Sequence, residues 1–244
     1  KLDELTKQAG RVELEKATAK GGSKDKEYFE FMSSAIYEIK QRKKISDADV
    51  ETEVGNSDIK DKGIQNWEWV HAIASFIDSN FIDTSEFTLE TYLTDVYLYV
   101  NSQEVTNSIN KIVEDMIIDD EPTIVVSHSL GTVVAYKVIM KNIAKINLHK
   151  FITIGSPLGL SAISSKLGVP VNPAGDDGWY NAYDERDIVA LNPLDDQYFP
   201  ADPKINNYNG VDNFTDNRHG IIGYLNDKSV ADQIASALAN ASTS

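Results

Sequence analysis

The chain has 244 residues, 41% of them hydrophobic and 25% charged, with neither glycine (14) nor proline (7) in excess. That composition excludes disordered, collagenous and low-complexity classes and leaves ample chain for a buried core. Lys and Arg (23) against Asp and Glu (38) give a net charge of −15, a field that repels phosphate backbones and anionic lipid, so nucleic acid is not an expected partner. The absence of cysteine removes a disulfide framework, a Cys-based zinc site and a thiol nucleophile, and leaves serine chemistry open.

The first part of the chain, to about residue 120, reads as helical and polar without a strand-like apolar run. Tyr28, Met32, Ala35, Ile36 and Ile39 recur at helical spacing within Lys24 to Lys43, and Trp67, Val70, Ile73, Ala74, Ile77 and Phe81 do so again. Between them, Ser46 to Gly63 is acidic with few large apolar residues and reads as a solvated loop. Thr88 to Val100 and Val105 to Ile117 complete the helical set, and Glu121-Pro122 stops it because proline lacks the amide a helix interior needs. Aromatic residues, among them Trp67, Trp69, Phe81, Tyr92 and Tyr99, crowd this part, where helix packing and the lining of an apolar substrate pocket are both open readings.

From Thr123 the pattern changes. Thr123 to Ser127 is a β-branched run of the kind buried parallel strands carry, Leu130 to Ile146 is helical, and Phe151 to Ile154 is a second strand ending at Gly155-Ser156-Pro157. Strand, helix, strand is a parallel βαβ unit. Trp179 to Tyr183 and Ile205 to Tyr208 are further strands, and Ser229 to Ala239 is a closing helix. No apolar run approaches the ~18 residues of a membrane span, and no signal-peptide pattern is present, so a cytoplasmic location without stable membrane insertion is expected.

The chemistry-bearing residues are Ser127, His128, Ser129, Leu130 and Gly131, at the point where strand turns into helix. A serine on such a turn is presented above the sheet, and its flanking positions, here Ser127 and Gly131, must be small where the strained turn brings backbones close. Ser129 is therefore the candidate nucleophile. The alternative is a tight strand-to-helix turn without chemistry.

This segment resembles the nucleophile elbow of the α/β-hydrolase superfamily, G-x-S-x-G, with Ser127 in the first glycine's place. The resemblance spans residues 86 to 244, and Ile152 to Gly159 is similar to the strand and turn that follow the elbow helix in bacterial lipase-like and esterase-like members of unassigned substrate. It implies an α/β-hydrolase fold with a mostly parallel central sheet. Residues 1–100 would form a helical N-terminal or lid region and residues 101–244 the catalytic core, the whole being one structural domain. The family's chain order, serine, acid, histidine, implies a base at His149 or His219, and His219, on a polar loop before the closing helix, takes that role. Tyr183 to Ala190 resembles the family's D-x-V-[AP] loop, which implies Asp187 as the acid; Asp184, Glu185 and a solvated acidic loop without chemistry are the alternatives, and Arg186 is a candidate partner for a neighbouring acid. One oxyanion donor would be the amide of Leu130. The other belongs to a loop after an earlier strand, and with no such strand before Ser127 the family's leading strands are expected to lie upstream of Lys1.

The resemblance thus implies a serine hydrolase acting on an ester of a small-molecule or lipid-like acyl group, lipase- or carboxylesterase-like, with no cofactor and no metal. Peptidase, amidase, acyltransferase and non-catalytic binding module remain open. Asp176-Asp177 and Asp195-Asp196 read as acidic turns, not as a calcium site, and Gly155, Gly159 and Gly168 form no phosphate cradle.

Overall fold

A computed structural model describes residues 23–55, 59–82, 87–117 and 121–241. The helical reading of residues 1–22, and the part of the acidic stretch at 56–58, lie outside the described residues. The chain divides into two compact units between Thr106 and Asn107.

The first unit holds α1 (Ser23–Arg42), α2 (Asp47–Val54), α3 (Trp67–Phe81) and α4 (Leu89–Asn101). α1 packs on α3 and α4, and α2 on α3. Met32, Ala35, Ile36 and Ile39 of α1 and Val70, Ile73, Ala74 and Ile77 of α3 are buried, as their spacing requires. Two expectations need correction. The acidic stretch is not all loop: Ser46 caps α2 by accepting from Asp49 N while the Asp49 carboxylate accepts from Ser46 N, a capping box that satisfies first-turn amides, and Val50 anchors the helix in the interior. In α3 the buried tryptophan is Trp69, 1% exposed, whereas Trp67 is 40% exposed against Tyr28 and Phe29.

α5 (Gln103–Glu114) crosses the division and leads to the second unit, built on a four-stranded, all-parallel sheet in the order β1-β2-β3-β4. The strands are β1 (Thr123–His128), β2 (Leu148–Ile154), β3 (Trp179–Ala182) and β4 (Asn206–Tyr208). α6 (Leu130–Asn142) connects β1 to β2, α7 (Ser161–Ser164) precedes β3, and α8 (Ile221–Leu225) and α9 (Lys228–Ala241) follow β4. The mixed α/β class and the parallel βαβ unit are as the sequence pattern demands.

The inner strands are covered on both faces, so Phe151 to Ile154 of β2 and all of β3 are buried. On one face Ile152, Ile154, Tyr180, Ala182, Tyr224 and Val230 form a buried cluster. On the other, Phe151, Trp179, Phe199 and Tyr136 of α6 pack ring on ring, Phe151 and Trp179 at 4.7 Å between centroids. A polar row crosses that second face, because Ser127, Thr153, Asn181 and Asn207 share one register. Thr153 Oγ1 donates to Asn181 Oδ1 at 2.8 Å, and Asn181 Nδ2 to Asn207 Oδ1 at 2.9 Å.

β1 departs from the buried strand expected of its composition. It is half-buried, and Val126 is 39% exposed. The reason is topological: among the described residues β2 is its sole strand neighbour and no strand precedes it. No described helix is long and apolar enough to cross a membrane.

Candidate active site

Ser129 sits where β1 gives way to α6, with φ 55° and ψ −134°. A non-glycine residue at positive φ is strained and persists only where its surroundings over-determine it. Three hydrogen bonds do so. Ser129 N donates to Ile154 O at 3.2 Å, and Ser129 O accepts from Thr132 N at 2.9 Å and from Thr132 Oγ1 at 2.7 Å. Because the Thr132 proton is spent there, Ser156 Oγ donates to Thr132 Oγ1 at 2.8 Å and accepts from Leu158 N, tying the elbow to the turn after β2.

The sharp turn aims the Ser129 hydroxyl at His219. Ser129 Oγ lies 2.7 Å from His219 Nε2, and His219 Nδ1 lies 2.7 Å from Asp187 Oδ2. All three come from loops at the carboxyl ends of strands, the edge where open parallel sheets gather ligand-facing groups. Asp187 and His219 are buried, at 0% and 5% exposure. The other Asp187 oxygen, Oδ1, accepts from Val189 N at 2.8 Å and Ala190 N at 3.3 Å, so the residues after the aspartate hold its carboxylate from behind. With Nδ1–H donated to Asp187, Nε2 is the acceptor in the hydrogen bond with the Ser129 hydroxyl.

His128 lies beside His219, the two ring centroids 4.7 Å apart. Its Nε2–H donates to His219 O at 2.7 Å. Burial, then the neighbouring His219, pushes His128 down to about 4, so it is a neutral clamp between elbow and base loop at neutral pH.

Asp184, the alternative acid, is brought to a different task. It is 2% exposed and does not meet His219; Oδ1 accepts from Arg186 N and Nε, and Oδ2 from Arg186 Nη2 at 2.7 Å and Asn213 N at 2.8 Å. Burial works to raise its carboxyl, but the Arg186 and Asn213 hydrogen bonds and the guanidinium charge outweigh it and hold Asp184 below the usual carboxylate value. Arg186 also bonds Asp212, so the acid loop and the base loop are stitched together. Asn213 completes the seam by donating Nδ2 to Gly220 O at 2.9 Å.

Sequence reasoning missed Tyr224, whose hydroxyl donates to Asp187 Oδ2 at 2.6 Å and accepts from Asp184 N at 3.3 Å. Burial, then the Asp187 charge, holds its phenol well above its ordinary value, so it stays a donor. The one local trace is Gly155 at φ 58°, where an added Cβ would come within 2.9 Å of the Tyr224 ring and 3.2 Å of His128.

Leu130 N–H opens α6, and first-turn amides have no partner within their own helix, so this donor is available to an anion beside Ser129. Gly131 is a correction: a Cβ built there meets nothing within 4 Å beyond its own helix and chain neighbours, so the crowding expected at this position is absent among the described residues. Ser127 fits its half-buried position, its Oγ buried without a hydrogen-bond partner among the described residues. His149 lies within β2, and no described group of His, Asp and Glu could hold a metal ion.

Comparison with known proteins returns no match: no family model, no curated protein and no solved structure aligns with this chain.

Proposed function

We propose that this chain is a serine hydrolase of α/β-hydrolase type, with Ser129 as nucleophile, His219 as general base and then acid, and Asp187 as the group that orients His219. The observation that carries the reading is the continuous hydrogen-bonded line from Ser129 Oγ through both His219 nitrogens to Asp187 Oδ2, each link 2.7 Å long. A serine hydroxyl is a weak nucleophile near pH 7 and needs a base in reach and an acceptor behind that base. His219 Nε2 and Asp187 Oδ2 stand within hydrogen-bond reach to serve as these two groups.

In the reaction, His219 Nε2 takes the Ser129 proton as Oγ attacks the acyl carbon of an ester. Asp187 steadies the imidazolium, and Leu130 N–H donates to the oxyanion. The protonated His219 then gives its proton to the leaving alkoxide, which departs and leaves an acyl-enzyme. Water activated by the same nitrogen releases the acid and restores the serine. The choice of an ester of an apolar acyl group rests on the resemblance to lipase-like and esterase-like hydrolases.

A non-catalytic binding module is the second reading, favoured by one observation: among the described residues no earlier strand exists to bring a second oxyanion donor. A panel of p-nitrophenyl esters, amides and thioesters separates the two. Hydrolysis of an ester that falls about 10⁴- to 10⁶-fold in Ser129→Ala supports the hydrolase; wild-type turnover no greater than that of Ser129→Ala across the panel supports the binding module.

A further inference from the structure

Asp187 Oδ2 serves two donors at once, His219 Nδ1 at 2.7 Å and the Tyr224 hydroxyl at 2.6 Å. The length of the tyrosine bond is that of a charge-assisted O–H···O⁻ contact. Its direction is fixed, because the same oxygen accepts from Asp184 N at 3.3 Å and the ring is 0% exposed against Gly155. Packing alone would be met as well by phenylalanine, so the hydroxyl calls for a reason of its own.

We propose that Tyr224 is a positioning residue for the acid–base pair, its hydroxyl holding Asp187 Oδ2 in place and restraining how strongly that carboxylate retains a proton on His219. The proposal rests on the triad reading above. A carboxylate that accepts several hydrogen bonds spreads its charge over them and pulls less hard on any one donor. Remove the tyrosine proton and Asp187 holds the imidazolium more tightly, so the base loses its proton only at higher pH. Among the described contacts, Ser129 and the neutral His128 also meet His219, and Arg218, next to it in the chain, donates to Asn213 O and approaches Asp212. Behind Asp187 stands Asp184, already paired with Arg186. None of these donates to Asp187 Oδ2 among the described hydrogen bonds, so none substitutes for the phenol.

The test is a pH titration of the His219 ring by NMR, run beside the pH profile of ester kcat/KM, in wild type, Tyr224→Phe and Tyr136→Phe. Tyr136 is a buried tyrosine of the same unit whose hydroxyl accepts from Val171 N, away from the pair. In Tyr224→Phe the His219 midpoint and the acid limb of the profile should both move up by about half a pH unit, a roughly 3-fold loss on that limb beyond any loss at the plateau. Tyr136→Phe should leave both where they are. An unmoved His219 midpoint in Tyr224→Phe, whatever the plateau does, overturns the proposal. Biosynthetic 3-fluorotyrosine, a stronger donor of nearly the same shape, covers the case in which Tyr224→Phe does not fold: it should move the midpoint down, and an unmoved midpoint is again fatal. A shifted midpoint in a protein that turns over no ester would retain the Tyr224 role and reject the hydrolase reading.

Discussion

In the helical unit, α1, α3 and α4 close on Met32, Ile36, Ile39, Ile73 and Ile77, and among the described residues the buried polar ones are Ser33 and Thr106. In the sheet unit many more polar residues are buried, among them Asn110, Thr153, Asn172, Asn181, Asp184, Asp187, Asn192 and His219. Burying such groups is costly unless each finds a partner, whereas an apolar interior needs only volume and pattern. The first unit spends its interior on stability. The second buries more polar groups, and two of them, Asp187 and His219, stand in one hydrogen-bonded line with Ser129.

The largest effect is expected at Asp187→Asn, which keeps the shape but favours the wrong His219 tautomer: ester kcat should fall about 10⁴-fold with little loss of thermal stability. A fall of less than tenfold would make the carboxylate an ordinary buried polar group. In the apolar unit, Ile73→Ala leaves a cavity and should cost about 4 kcal/mol in urea unfolding, while a cost below about 1 kcal/mol would deny that the unit has a close-packed interior.

Asp184→Ala comes next. It strips the acceptor from two backbone amides and a half-exposed guanidinium, and should cost about 3 kcal/mol at pH 7. Since the folded carboxyl lies below its unfolded value, this stability is fully present above about pH 4 and is lost as pH falls through the folded value, so wild type and variant should converge in acid. Equal stability at pH 7 would return Asp184 to the class of solvated loop acids.

The smallest effect concerns His128. Its folded value of about 4 lies below the unfolded 6.5, so the unfolded chain binds the proton first and stability falls with pH between those values. Wild type should lose about 2 kcal/mol more than His128→Gln between pH 7 and 5. Parallel curves would mean that the imidazole is not buried neutral.

Much of the scaffold was legible because its signals are local. The β-branched run before Ser129, the helical spacing of α1 and α9, and the Ser-His-Ser-Leu-Gly turn each lie within a few residues of one another. Asp187 and His219 were legible through the resemblance alone, since 32 positions separate them and no periodicity joins them. Arg186 was legible as a partner for a neighbouring acid, and that acid is Asp184; the Asn213 link and the Tyr224 hydroxyl were not, because they join the segment after β3 to residues after β4 that lie 29 to 40 positions away. The α2 helix was missed for another reason. Its acidic composition resembles a loop, and the Ser46–Asp49 capping box together with the buried Val50 outweighs that composition.

The most direct measurement is labelling with a fluorophosphonate probe, followed by peptide mass spectrometry, on wild type, Ser129→Ala and His219→Ala. The account predicts a single adduct on the peptide carrying Ser129, absent from Ser129→Ala and strongly slowed in His219→Ala. An adduct on another residue, or labelling of wild type no faster than of His219→Ala, would contradict it.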